Sequence, residues 1–138
     1  MERPLPAANG STHRAGRQAE DWAAHLLQRR GWSLVARNWS CRWGELDLVA
    51  GKPDRLLLVE VKARRRIGPD GGGLRAFDGA KRRRLARAWA CWLAAHPRHA
   101  GSPLEVVLAL VPLPVASRPV RWLVVPDLTV LCACEQQG

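Results

Sequence analysis

The sequence predicts a single-domain α/β fold with a mixed central sheet flanked by helices. Three observations carry this. Apolar residues recur at helical spacing in two separated stretches, 13–30 and 80–96. Three strand-like runs stand between those stretches, and at least one more follows the second. The chain has 138 residues, and a domain of that size buries roughly two-thirds of its unfolded surface, so its core needs no disulfide or metal staple. In the order α-β-β-β-α-β, the first three strands form an antiparallel meander. The second helix then returns the chain to a parallel or mixed partner.

Each element has a local reason. Residues 1–12 read as a disordered tail. In "HRAGRQAEDWAAHLLQRR" (13–30), Ala15, Ala19, Trp22, Ala23, Leu26 and Leu27 make one apolar stripe. Ser11 or Thr12 is the expected cap, and Gly31 the stop. "WSLVARNW" (32–39) is the first strand. "GELDLVA" (44–50) alternates and is the second. "GKPD" (51–54) has turn chemistry, and "RLLLVEVKA" (55–63) is a third strand, apolar on both faces until Glu60. "RRRIGPDGGGLRAFDG" (64–79) has no helix or strand period and reads as a mobile loop. "AKRRRLARAWACWLAAH" (80–96) is the second helix, with Asp78 as N-cap and Pro97 just past its end. "PLEVVLALV" (103–111) and "PVRWLVV" (119–125) are further strands. The domain is expected over 13–128, with 129–138 as a C-terminal tail.

The formal charge is +10, from 22 basic and 12 acidic residues. That favours polyanionic partners, nucleic acid first. Only Lys52, Lys62 and Lys81 are lysines and the other basic residues are arginines, a bias that GC-rich coding also produces. Placement of charge is therefore better evidence than its total. No apolar run approaches the ~20 residues of a membrane span, so no membrane partner is expected. The N-terminal residues lack the apolar region of a signal peptide. Cys41, Cys91, Cys132 and Cys134 form no metal-spaced motif. A cytoplasmic protein with reduced thiols is expected, with Cys91 as a small core residue.

The hairpin "WGELDLVAGKPDRLLLVEVKARRR" (43–66) holds the chemistry. Strand parity places Glu45, Asp47 and Val49 on one face, with Leu46 and Leu48 on the other. Leu58, Glu60 and Lys62 likewise share a face. A turn at "GKPD" brings Asp47 beside Glu60. Two carboxylates that close resist ionising unless a cation lies between them, and hard oxygen ligands suit Mg²⁺ or Mn²⁺. Lys62 is a lysine in an arginine-rich chain; a lysine there can orient or deprotonate a water or stabilise charge on a phosphate. Glu20 lies about 100° from Ala19 around the first helix, at the border of the buried face, with Gly16 leaving room one turn earlier. The ordinary alternative is a set of ion pairs, Glu60–Arg64 or Asp47–Lys62.

These residues resemble the PD-(D/E)xK nuclease superfamily, with Asp47 of "GELDLV" as first acid and Glu60-Val61-Lys62 of "VEVK" as its E-x-K. More closely, "AGRQAEDWAAHLLQRRGWSLVARNWSCRWGELDLV", "LLLVEVKARR" and "AKRRRLARAWACWL" resemble the YraN-like bacterial family, itself akin to archaeal Holliday-junction resolvases. The likeness spans roughly residues 13–111. It implies a restriction-endonuclease-like αβββαβ core, with Glu20, Asp47 and Glu60 as ligands of a divalent metal. It implies catalytic roles for Asp47, Glu60 and Lys62, with Lys62 positioning the water. Glu45 matches the acid of "GE-x-D" and would stand behind the ligands. It also implies action as a homodimer, because a junction offers two symmetric strands. Leu46 stands where the superfamily has proline, and Glu105 where the family more often has Asp. Relatives also accept Arg at the Lys62 position.

Two basic stretches, "KARRR" (62–66) and "KRRRLAR" (81–87), are the expected nucleic-acid contacts. Lys81 lies on the core-facing side of the second helix's first turn, where free backbone N–H groups would help bind a phosphate. Arg64, Arg65 and Arg83 are further candidates, while Arg82, Arg83, Arg84 and Arg87 also suit a merely solvated face. Trp22, Trp89 and Trp92 belong to core stripes; Trp39 and Trp43 are the candidates for base stacking. The expected function is a Mg²⁺-dependent endonuclease on branched or structured DNA. The rivals are a DNA-binding module of the same fold that does not cut, and a protein-partner domain.

Overall fold

The computed structural model describes residues 7–66 and 77–126. Its elements follow the expected order: α1 (Ala7–Arg29), β1 (Ser33–Cys41), β2 (Gly44–Lys52), β3 (Arg55–Arg64), α2 (Gly79–Ala95), β4 (Leu104–Pro112) and β5 (Arg121–Val124). The sheet order is β1-β2-β3-β4-β5. β1, β2 and β3 are antiparallel neighbours, β3 and β4 pair in parallel, and β5 returns antiparallel. The meander and the helical crossover are therefore both present. The expected C-terminal tail (129–138), Cys132, Cys134 and residues 67–76 of the expected loop lie outside the described residues.

The helices cover opposite faces. Ala23, Ala24 and Leu27 of α1 pack on Leu48, Ala50, Leu57, Val59, Val107 and Ala109. Leu85, Trp89 and Trp92 of α2 pack on Leu46, Val49, Leu58, Val106, Leu108 and Leu110. β3 and β4 are central and covered on both sides, which is why they read as continuous apolar runs. Each fully buried Leu or Val side chain contributes roughly 1.5–3 kcal/mol.

Helix ends follow the residues that close them. Gly31 takes φ 91°, Trp32 N–H donates to the Leu27 carbonyl at 3.1 Å and Gly31 N–H to the Gln28 carbonyl at 3.1 Å. That is a Schellman closure, open mainly to glycine. Asp78 caps α2, its carboxylate accepting from Lys81 N–H at 2.9 Å. α1 begins at Ala7, six residues before the position its periodicity predicts, so Ser11 and Thr12 lie inside the helix rather than at its cap. Cys91 is only half-buried and its thiol lies against Cys41; burial and that neighbour push it up. Among the described residues no helix is long and apolar enough to cross a membrane.

Strict alternation fails in β2. Leu46 and Val49, three residues apart, both join the core under α2, while Leu48 joins the core under α1. The acids therefore do not own one face opposite the leucines, as parity predicts. Both faces are apolar, and Asp47 sits where the alternation reverses.

Candidate metal centre

β2 and β3 pair from Lys52↔Arg55 as far as Leu48↔Val59, and there the ladder stops although both strands run on. The Val61 N–H beyond the last pair needs an acceptor. Asp47 Oδ2 takes it at 2.8 Å. A buried N–H left unpaired would be costly, so this bond anchors the Asp47 carboxylate in the seam where the strands part.

Three other acids converge on that seam. Glu20 projects from α1 with its side chain 15% exposed. One carboxylate oxygen each from Glu20, Glu45 and Asp47 lie within 4.8 Å of one another. Glu60 approaches from the α2 side, 7% exposed and within hydrogen-bonding reach of Asp47. Of the expected ligands, Glu20 and Asp47 thus fall in the tight group. Glu45, expected behind them, completes it, and Glu60 abuts Asp47. The ion pairs Glu60–Arg64 and Asp47–Lys62 do not form; Arg37 instead pairs with Asp21 and stands 3.8 Å from Glu20 Oε1.

Burial raises the Glu60 carboxyl well above its usual range, and Asp47 beside it pushes the same way. Burial and then Asp47 also raise Glu20, while the Asn38 side chain and the charge of Arg37 hold it down. Glu20 Oε1 is buried and makes no hydrogen bond. Crowded carboxylates with an orphaned oxygen relax by taking up either a proton or a cation. The donors are all hard oxygens, so this cluster could hold a divalent ion such as Mg²⁺ or Mn²⁺.

Two lysines border the acids. Lys81 reaches from the first turn of α2 to Lys62 and Glu60. Burial first, then contact with Lys62, pull its ammonium down to about 8, against the attraction of Glu60 and Asp47. Its main-chain N–H is taken by Asp78, and Arg82 N–H by the Asp78 carbonyl at 2.9 Å. Lys81 itself therefore offers only its side chain. A cleft of about 290 Å³ opens here, lined by Trp43, Glu45, Glu60, Lys81 and Arg84. Arg84, one turn on from Lys81, belongs to the run that also suits a solvated face; its i+3 spacing from Lys81 is the signal that places it at the cleft.

The other basic residues divide. Lys62, Arg64 and Arg65 line a second hollow with Gly16, of about 390 Å³. Arg83 is exposed, away from the cleft. Arg82 is structural: its guanidinium donates to the carbonyls of Phe77 at 3.0 Å and Pro126 at 2.9 Å, tying the start of α2 to the end of the domain. Trp43 carries guanidinium groups over its ring, Arg42 at 4.5 Å and Arg87 at 4.7 Å from the centroid. Trp39 packs against the α2-side core, T-shaped with His96. Trp89 and Trp92 are buried as expected, and Trp22 is half-buried.

Gly16 does leave space: a Cβ there would meet nothing within 4 Å. Its backbone is helical, so glycine is not required by conformation. Gly16→Ala is expected to raise stability by about 0.5–1 kcal/mol, read as a higher urea midpoint at unchanged slope.

Known proteins resemble this chain over most of its length. A family described as "Uncharacterised protein family UPF0102" matches residues 19–110. A UPF0102 protein of Prochlorococcus marinus (strain MIT 9303) is 53% identical over 117 residues, covering 85% of this chain and 93% of the relative. One from Synechococcus sp. (strain CC9902) is 56% identical over 114 residues, covering 83% and 94%. One from Pseudomonas putida (strain GB-1) is 42% identical over 120 residues, covering 86% and 95%.

Proposed function

The chain belongs to the uncharacterised protein family UPF0102, whose name assigns no activity; from the site, together with the resemblance of its motifs to PD-(D/E)xK nucleases and Holliday-junction resolvases, we propose a divalent-metal-dependent nuclease acting on branched or structured DNA. The observation that carries this reading is Asp47. It is pinned by Val61 N–H, shares a tight oxygen cluster with Glu20 and Glu45, and abuts Glu60. Lys81 and Arg84 line the adjoining cleft.

Glu20, Glu45 and Asp47 would hold Mg²⁺ or Mn²⁺, with Glu60 as a further donor once ionised. Such an ion, when bound, polarises a phosphate and lowers the pKa of a coordinated water. Asp47 keeps its direction because its main-chain partner fixes it. Lys62, beside Glu60, orients the attacking water. Lys81 and Arg84 offer positive charge to the phosphate entering from the α2 side. Arg64 and Arg65 extend that field toward α1 and would engage the neighbouring backbone, with Arg83 as an outer contact.

The test is incubation of purified protein with a four-way junction, a flap, a duplex and a single strand, each with and without Mn²⁺. Metal-dependent cleavage of the branched substrates is expected. Salt-sensitive binding without cleavage of any of them would instead favour a DNA-binding module that does not cut. No salt-dependent binding at all would favour a protein partner.

A further inference from the structure

The reversal that frees Asp47 has a counterpart on the neighbouring strand. β1 and β2 are in register at Ala36↔Val49 and Arg37↔Leu48, and again at Trp39↔Leu46 and Ser40↔Glu45. Between them, Asn38 and Asp47 are opposite each other but unpaired. Asn38 has φ 51°, in the left-handed region. Among residues with a side chain, Asn and Asp enter that region most readily. One left-handed residue in a strand reverses its alternation. Ala36 and Trp39, three apart, both pack against the α2-side core, as Leu46 and Val49 do across from them. With unbroken alternation Leu46 would lie under α1 with Leu48, and Asp47 would follow Val49 into the apolar core under α2.

Asn38 also acts through its side chain. It lies beside the Glu20 carboxylate and favours the charged form. One residue thus touches both halves of the site: its backbone turns Asp47 into the seam, and its amide steadies Glu20 against it. Glycine could supply the backbone angle without the amide. Glutamine could supply an amide but not the angle.

We infer that Asn38 is a positioning residue of the metal centre, holding Glu20 in the geometry a divalent ion needs while setting the direction of Asp47. This rests on the metal-site reading above. The residues that hold ligands in place typically change metal affinity by about 10–100-fold.

The test titrates Mn²⁺ by calorimetry into wild type, Asn38→Gly and Asn38→Ala, with urea unfolding of each. Asn38→Gly should keep the wild-type urea midpoint while its Mn²⁺ affinity falls at least about tenfold. Asn38→Ala should lose both, because alanine is strained at this angle. Wild-type affinity in Asn38→Gly would overturn the amide's role, since a purely structural residue predicts that result. An Asn38→Ala midpoint equal to that of Asn38→Gly would overturn the backbone's role. No Mn²⁺ uptake by wild type would remove the metal-site reading, and this role with it.

Discussion

Asp47→Asn is expected to abolish Mn²⁺-dependent cleavage, by at least about 10³-fold, while leaving the protein folded. The isosteric amide keeps an oxygen to accept Val61 N–H, which Asp47 Oδ2 now does at 2.8 Å. The main chain at the seam therefore stays satisfied. The negative charge disappears, and Asp47 is the residue shared between the Glu20–Glu45 group and Glu60. A 10³-fold loss corresponds to about 4 kcal/mol of barrier. The metal-free variant should be at least as stable as wild type, because a charge that raises both Glu20 and Glu60 is gone. Initial rates on a junction substrate and thermal unfolding of the same sample check both parts. Cleavage at the wild-type rate would remove Asp47 from the mechanism.

Glu60→Gln has the second large effect, and its sign depends on metal. Burial and Asp47 raise the Glu60 carboxyl in the folded state. Between the unfolded and folded pKa values the native state then binds more protons, so the contribution of Glu60 is fully present below the unfolded pKa and declines as pH rises. Glutamine mimics the protonated form at every pH. Without metal at about pH 8, Glu60→Gln should be more stable than wild type by about 1–3 kcal/mol, the scale of a poorly satisfied buried polar group. That gap should close as pH falls toward the ordinary carboxyl range. With Mn²⁺ at a hundred times its dissociation constant, wild type gains about 2.7 kcal/mol from ligand linkage. The variant, lacking a donor, gains less, and the order narrows or inverts. Urea midpoints across pH, with and without Mn²⁺, test this. A wild type more stable than the variant in metal-free buffer would mean that the Glu60 charge is well solvated or paired.

Much of this was legible in the sequence because periodicity and caps are local. The stripe from Ala19 to Leu27, the Gly31 stop, the Asp78 cap and the meander from β1 to β3 all follow from neighbours in the chain. The approach of Asp47 to Glu60 across the hairpin also follows, since the turn sets the two strands side by side. The reversal at Asp47 was not legible, because its cause lies on another strand: a left-handed Asn38 looks like any polar residue in "ARNW". Parity does place Glu45 on the face of Asp47, but it does not show that Glu45, rather than Glu60, closes the tight group with Glu20. Arg82 reads as one more charge in a basic run, yet the carbonyl of Pro126, far along the chain, accepts a hydrogen bond from its guanidinium. Such contacts depend on which distant carbonyl is left without a partner, and no local pattern records that.

Calorimetric titration of Mn²⁺ into the wild-type protein and Asp47→Asn, at about pH 6 in two buffers of different ionisation enthalpy, tests the central claim most directly. Wild type should bind with proton release, because a cation displaces protons from Glu60 and Glu20, and Asp47→Asn should bind at least tenfold more weakly. Absence of Mn²⁺ binding by wild type, or binding unchanged in Asp47→Asn, would contradict a metal centre built on this seam.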